Sequence, residues 1–306
     1  MKERFHSFNS YLQNIFGERV QRISLDAGFG CPNIDGTLST QGCIYCNNKG
    51  FSKFARSNLP LEDQIANSVE FYKKRLGANK FIAYFQSFTN TYADQETLSK
   101  RYDLIRKFPQ IVGLFISTRP DCVNEEKMKL IASYKKDYLV WVEYGLQTTQ
   151  EPILRLINRN HSYEDFLGAY KLARDYEINV GVHLIMGLPT SSYENVIEDA
   201  NRLAKLDIQG IKFHIFHLLR GTQLELLHKK NNFNFLTQDE YVKNICDFLE
   251  LMPTSLVVLR LISNAHPDYL IAPSWINNKH AVIEQIRKEL ENRGTRQGYR
   301  YESVCS

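Results

Sequence analysis

The stretch RISLDAGFGCPNIDGTLSTQGCIYC, Arg22 to Cys46, joins a strand-like run to a cysteine-bearing loop. RISLDAG, Arg22 to Gly28, reads as a first β-strand, and no G-x-G-x-x-G follows it, which argues against an open dinucleotide-binding sheet. The loop instead carries Cys31, Cys43 and Cys46 in the spacing Cys-x11-Cys-x2-Cys. Three thiolates suit an iron–sulfur cluster with one iron left without a protein ligand. The competing reading is zinc, which wants four Cys or His ligands. No fourth candidate lies near in sequence, although folding can bring in His183, His214 or His217. Tyr45 either lies against an adenine or packs the loop.

Outward from this stretch, apolar runs rich in β-branched and aromatic residues recur about every 30 residues, with amphipathic helical patterns between them. The further strand candidates are Phe81–Ser87, Val112–Thr118, Tyr138–Leu146, Asn179–Gly187 and Gly210–Leu218. Helices are expected at Leu61–Leu76, Gln95–Lys107, Glu125–Lys135, Tyr163–Glu177 and Ser192–Lys205, with Ser162-x-x-Asp165 as a capping box. Six strands alternating with helices predict an α/β chain with a parallel sheet and right-handed crossovers. The expected fold is a partial (β/α)6 TIM-like barrel whose chemistry sits at the C-terminal strand ends. Residues 1–20 read as a helical lead-in, 21–226 as the barrel, and 227–306 as a C-terminal α/β extension holding a helix at Thr237–Leu251 and a strand-like SLVVLRLIS at Ser255–Ser263.

The 306 residues are 43% hydrophobic and 24% charged, an ordinary globular balance. The net charge of +4 permits a nucleic-acid partner without demanding one. Arg287, Lys288, Arg293, Arg296 and Arg300 form a basic strip near the end, read either as a solvated surface or as a phosphate contact. No signal-peptide pattern opens the chain and no stretch nears the roughly 20 apolar residues of a membrane span. A cytoplasmic protein with no membrane partner and with reduced cysteines is therefore expected. Cys246 reads as core, Cys305 as tail, and Cys122, just after the third strand, as either a packing residue or a catalytic group.

Several further segments carry a family resemblance. STRPD at Ser117–Asp121, VEYGLQT at Val142–Thr148, NRNHS at Asn158–Ser162, VHLIMGLPTSS at Val182–Ser192 and LLRGTQLEL at Leu218–Leu226 resemble the strand motifs of the radical S-adenosylmethionine (SAM) superfamily. The branch is the one that includes the catalytic subunit of Elongator, a tRNA wobble-uridine enzyme whose cysteine spacing also has a long first gap. YFQSFTNTY at Tyr84–Tyr92 and LIAPSW at Leu270–Trp275 are similar to a small bacterial family of Elongator-like proteins. The chain has no room for Elongator's acetyltransferase domain.

The resemblance implies a barrel of the radical SAM type, a [4Fe-4S] cluster on Cys31, Cys43 and Cys46, and SAM on the open iron. It also implies maturation of a tRNA wobble uridine from the carboxymethylaminomethyl to the aminomethyl form. The anticodon loop would be the partner, and a flavodoxin or ferredoxin the electron donor. Candidate cofactor-binding residues are Tyr45, Gln86, Ser87, Arg119, Glu143, Gln147, His183, Gly187 and Leu188. Strand alternation puts Glu143, Gly145 and Gln147 on one face. Arg119 clamps a carboxylate or pairs with Asp121 or Glu143. Gly187 leaves room for a flat adenine against the backbone, and His183 alternatively serves as a satisfied core residue. Lys212, His214 and Cys122 are the candidate catalytic residues, with Lys212 and His214 on one strand face as a possible carboxylate seat or a core network. Rival readings are a radical SAM enzyme on a small metabolite such as a tetrapyrrole, and a non-catalytic zinc module that contacts RNA.

Overall fold

The computed structural model describes residues 3–47, 59–263 and 265–301. Cys305 lies outside the described residues. Among the latter, no helix is long and apolar enough to cross a membrane.

Seven parallel strands form one sheet: β1 (Val20–Leu25), β2 (Lys80–Phe85), β3 (Ile111–Thr118), β4 (Leu139–Gln147), β5 (Asn179–Met186), β6 (Gly210–Ile215) and β8 (Val257–Arg260). Their spatial order is their chain order, so the sheet winds in one direction and curls into a half-barrel. The expected six strands are joined by a seventh from the C-terminal segment, because Val257–Arg260 pairs parallel to β6. A short antiparallel ribbon, β7 (Leu218–Leu219) with β9 (Leu270–Ala272), lies beyond the strand ends.

Alternation along each strand sorts the residues into two layers. Phe81, Ala83 and Phe85 of β2, Val140, Val142 and Tyr144 of β4, and Ile211, Phe213 and Ile215 of β6 face the outer helices in one large core. The opposite parity faces inward. Tyr84, Phe115, Trp141, Val257 and Leu259 fill the inner floor, against the N-terminal helix α1 (Phe8–Phe16). That helix bridges the two sheet edges, contacting both β1 and β8. The same inward parity carries the polar residues of the site.

The helices follow local signals closely. α2 (Leu61–Leu76) has the expected bounds, starting after Pro60 and ending at Gly77, whose φ of 63° is a left-handed cap. The predicted Gln95–Lys107 helix tightens partway, as α3 (Gln95–Tyr102) passes into a 3-10 turn at Asp103–Lys107. α4 (Glu125–Ser133), α5 (Glu151–Leu156), α6 (Tyr163–Asp175) and α7 (Tyr193–Ala204) complete the outer layer. The Ser162–Asp165 capping box forms with both of its hydrogen bonds. After the barrel come α8 (Gln223–Asn231), α9 (Gln238–Glu250) and α10 (Lys279–Asn292), and Cys246 of α9 is core.

The basic strip is partly consumed. Arg293 lies 2.6 Å from Asp247 and 3.3 Å from Glu250, so it anchors the tail to α9 rather than offering a phosphate contact.

Trp141 fills the inner floor only because β6 begins with a glycine. A Cβ at Gly210 would stand 2.6 Å from the Trp141 ring and 2.9 Å from Leu259. Gly210→Ala is expected to destabilise the fold by about 1–3 kcal/mol through overpacking. Urea unfolding monitored by circular dichroism checks this, and an unchanged midpoint would contradict the packing described.

Candidate active site

The cysteine loop emerges from the C-terminal end of β1 and is clasped from outside by Asn158–Ser162. Asn158 and Asn160 both take left-handed backbone conformations, with φ of 53° and 52°. Asparagine is among the few residues that tolerate this. The two turns aim the Asn158 amide at Gly42 O (2.6 Å) and the Asn160 amide at Asn33 Oδ1 (2.6 Å). Fully buried Asn33 donates in return to Asn158 O at 2.7 Å and stands 3.4 Å from Cys43 Sγ.

Arg159, between the two asparagines, turns inward. Its guanidinium donates to Gly145 O (2.7 Å) and to His161 Nε2 (2.8 Å), and reaches Cys43 Sγ at 3.6 Å. Burial and the neighbouring guanidiniums push the His161 imidazole down to about 2, so it is the neutral acceptor that Arg159 needs.

Cys31, Cys43 and Cys46 line one cavity. No three of the described His, Cys, Asp and Glu side chains are placed to hold one metal ion. A single zinc requires such convergence, whereas a cluster spreads its thiolates over separate irons. The donor set therefore fits a cluster better than an ion.

The same cavity gathers most of the residues anticipated from the sequence: Tyr45, Gln86, Ser87, Arg119, Gln147, His183, Lys212 and His214. Ser87 Oγ and Arg119 Nη1 are buried there without a hydrogen-bond partner. Buried polar atoms are seldom left so, and both fit a polar ligand such as the methionyl end of SAM. Gln147 sits at φ 80° where the β4–β5 register shifts, a strained position of the kind that clusters at functional sites. Of the alternatives for Arg119, the structure takes Asp121, bound at 2.8 and 2.7 Å, and Glu143 is not its partner.

Glu143 lies beneath the cavity with no exposed surface. Its Oε2 accepts from Tyr84 (2.9 Å), His183 (2.6 Å) and Lys212 (2.8 Å), and Arg22 lies 3.6 Å from Oε1. Burial alone would raise this carboxyl. Lys212, His183 and Arg22 outweigh burial and hold it well below the usual range. His183 thus belongs to a buried network, and burial beside Lys212 pushes it down to about 3. Lys212 also donates to the Tyr84 hydroxyl.

Three expected residues fall elsewhere. Gly187 does not open toward the cavity, since Leu236 stands where its Cβ would be, at 2.8 Å. Leu188 is buried with Ile44 and Phe216 in a separate apolar cluster. Cys122 does not line the cavity, and burial beside Asp121 pushes its thiol up to about 12, the state of a packed neutral thiol rather than a catalytic thiolate.

Arg22, Asn33, Tyr84, Arg159 and Arg260 were not anticipated. Inward parity on β1 and β2 would have found Arg22 and Tyr84. Arg159 sits inside the NRNHS segment, where the flanking asparagines signal paired turns.

The buried histidines give the fold a pH signature. His183 and His161 change from an ordinary 6.5 to about 3 and about 2 on folding. The folded chain therefore binds fewer protons than the unfolded one. Stability is full above pH 6.5 and falls as the pH drops from there toward 3, by about 1.4 kcal/mol per unit for each histidine. His214 and His217 are depressed as well and add to the slope. Urea unfolding at pH 7.0 and 5.5 measures it, and His183→Asn should reduce it by about a quarter.

Comparison with known proteins completes the description. The family model described as the Radical SAM superfamily matches residues 35–203, and one described as the Radical_SAM C-terminal domain matches residues 208–292. Uncharacterized protein YtqA of Bacillus subtilis is 38% identical over 97% of this chain and 92% of its own. Uncharacterized protein MJ0486 of the archaeon Methanocaldococcus jannaschii is 32% identical over 97% of this chain and 92% of its own, so such relatives are not confined to bacteria. A tRNA uridine(34) acetyltransferase of Methanocaldococcus infernus is more distant, at 29% identity over 60% of this chain and 34% of its own. Among solved structures, Methanocaldococcus infernus Elp3 with an N-terminal deletion superposes with a TM-score of 0.62 at 18% identity, covering 91% of this chain. This chain spans less than two thirds of that protein, 64% of it.

Proposed function

The chain belongs to the radical SAM superfamily, and we propose that it matures the wobble-uridine side chain of tRNA, taking the carboxymethylaminomethyl form to the aminomethyl form. Membership implies a [4Fe-4S] cluster and SAM. When bound, that pair supplies a 5′-deoxyadenosyl radical able to take hydrogen from an unactivated carbon.

The observation that carries the reading is the convergence of the three cysteines, the orphaned polar atoms of Ser87 and Arg119 and the buried Glu143 network on one cavity. Cys31, Cys43 and Cys46 would hold the cluster. Asn33 and Arg159 brace Cys43, and donors near a ligating sulfur fix its orientation. Ser87, Gln86 and Arg119 would orient the methionyl group, and Gln147 the ribose. Tyr84, His183 and Lys212, fixed by Glu143, form a rigid floor on which a substrate can be oriented for hydrogen abstraction, with water excluded by the inner aromatic layer.

The choice of tRNA is supported by the sequence motifs and by the likeness to a tRNA uridine(34) acetyltransferase across the barrel. A wobble base in the anticodon loop is single-stranded and can be turned out into a cavity. The proposed partners are that loop and an electron donor of the flavodoxin or ferredoxin kind.

Mass spectrometry of tRNA nucleosides from cells with and without the gene tests the reading. Loss of the gene should accumulate 5-carboxymethylaminomethyluridine and deplete the aminomethyl form; identical nucleoside profiles would rule tRNA out. In parallel, the anaerobically purified protein should be brown, and Cys43→Ala should lose the visible absorption of the cluster.

A further inference from the structure

The inner face of the barrel carries more positive than negative charge. Arg22 and Lys212 share the Glu143 carboxylate. Arg260 has no such partner. Among the described residues its guanidinium pairs with no carboxylate, and its contact is His214, whose Nε2 lies 2.6 Å away. That imidazole is itself held well down, by burial and by Arg260, so it accepts a hydrogen bond without supplying charge. Arg260 Nε is buried with no partner at all. Arg260 as a whole is half-buried, but its buried Nε is costly to leave unpaired unless something completes it.

The backbone places Arg260 there by a bulge. Ile211 pairs with Val258, but the next residue, Lys212, pairs with Arg260, so Leu259 is the extra residue. The bulge turns Arg260 to the inner side. Arg260 then borders two openings at once. It lines the cysteine cavity, and with Gln86 it also lines a groove beside α10. Lys279, His280 and Arg287 line that groove; Arg287 is paired with Glu284 of its own helix, so among the described residues Lys279 is the lining cation there without a carboxylate partner. Lys279 and Arg260 thus both border the route from the surface to the cavity, an arrangement that favours anions.

We propose that Arg260 is the seat of a substrate carboxylate, reached through the groove beside α10, and that it selects substrates whose reacting side chain ends in an acid. The inference deepens the tRNA reading, on which it rests only for the identity of that side chain. A carboxylate suits the site because Arg22 and Lys212 are already engaged by Glu143, whereas Arg260 has no carboxylate partner among the described residues. A guanidinium also presents the two parallel donors that a carboxylate accepts. The SAM carboxylate has its own candidate in Arg119, whose Nη1 is another unpartnered donor of the cysteine cavity.

The test has two arms on the cluster-loaded, SAM-bound enzyme. In the first, acetate and the uncharged isostere acetamide are compared at equal ionic strength by thermal unfolding. Acetate should raise the midpoint by about 2 °C or more and acetamide should not. Arg260→Met should abolish the difference and Arg260→Lys should retain part of it, with Arg260→Gln replacing the Met variant if that one fails to fold. In the second arm, equilibrium dialysis compares 5-carboxymethylaminomethyluridine with 5-aminomethyluridine. The wild type should prefer the acid by about tenfold, and Arg260→Met should erase the preference while leaving SAM affinity within about twofold. Equal effects of acetate and acetamide, an acetate effect that survives in Arg260→Met, or a loss of SAM affinity in that variant would each overturn the proposal. If the acetate arm succeeds and neither nucleoside binds, the carboxylate seat stands and the tRNA reading falls.

Discussion

One buried carboxylate holds the inner barrel together. Glu143 on β4 receives Arg22 from β1, Tyr84 from β2, His183 from β5 and Lys212 from β6. A half-barrel gains no backbone ladder between its edge strands, so its curvature needs contacts that cross the interior. Here those contacts are charged and desolvated, which makes them strict about geometry. A one-residue slip of β4 would send Glu143 among the apolar helices and Val142 or Tyr144 into the cavity. The network therefore specifies register as much as it stabilises. It also explains the depressed imidazole of His183, which burial and the neighbouring Lys212 cation keep neutral.

Above this floor the cysteine loop depends on a second constraint. A loop without regular structure has no intrinsic reason to present three sulfurs to one cavity. The pair of left-handed asparagines supplies that reason, since Asn158 and Asn160 staple Gly42 and Asn33 from outside. Arg159 between them ties Cys43 to Gly145 of β4. The loop is thereby referred to the same strand that carries Glu143, and floor and rim share one frame. Sites held in this way are preorganised by supporting bonds rather than by the ligand.

Local and periodic features were legible in the sequence, and long-range ones were not. The strand runs, the helix bounds at Leu61–Leu76 and the capping box at Ser162 follow from short patterns, and the inward face of Glu143, Gly145 and Gln147 follows from alternation. The strand at Val257–Arg260 lies inside the expected SLVVLRLIS run, but its place as the seventh strand of the sheet was hidden, because no local pattern shows that it pairs with β6. Arg260 was hidden because strict alternation from Val257 puts it on the outer face, and only the bulge at Leu259 reverses that. Gly187 misled because its neighbour, Leu236, comes from a distant segment that the strand motif does not reveal. Cys122 stayed open between packing and chemistry because position after a strand says nothing about which way a side chain turns.

The cations of the cavity raise a question of energetics. Arg22, Arg119, Arg159, Lys212 and Arg260 all face the interior or its rim, against the carboxylates Glu143 and Asp121. Replacing a buried ionic network by apolar side chains of similar volume is often neutral or stabilising, so stability alone does not account for this set. Each cation instead has a place relative to negative charge that the cavity is shaped to receive. Arg159 addresses a cysteine sulfur, Arg119 holds Asp121 with one donor to spare, and Lys212 and Arg22 secure the floor. Arg260 is the member without a protein counter-charge, and it stands where the groove beside α10 meets the cavity. An anionic substrate seated on Arg260, as proposed, would have its charged end at the groove side of the cavity and its reacting carbon toward the cysteine loop.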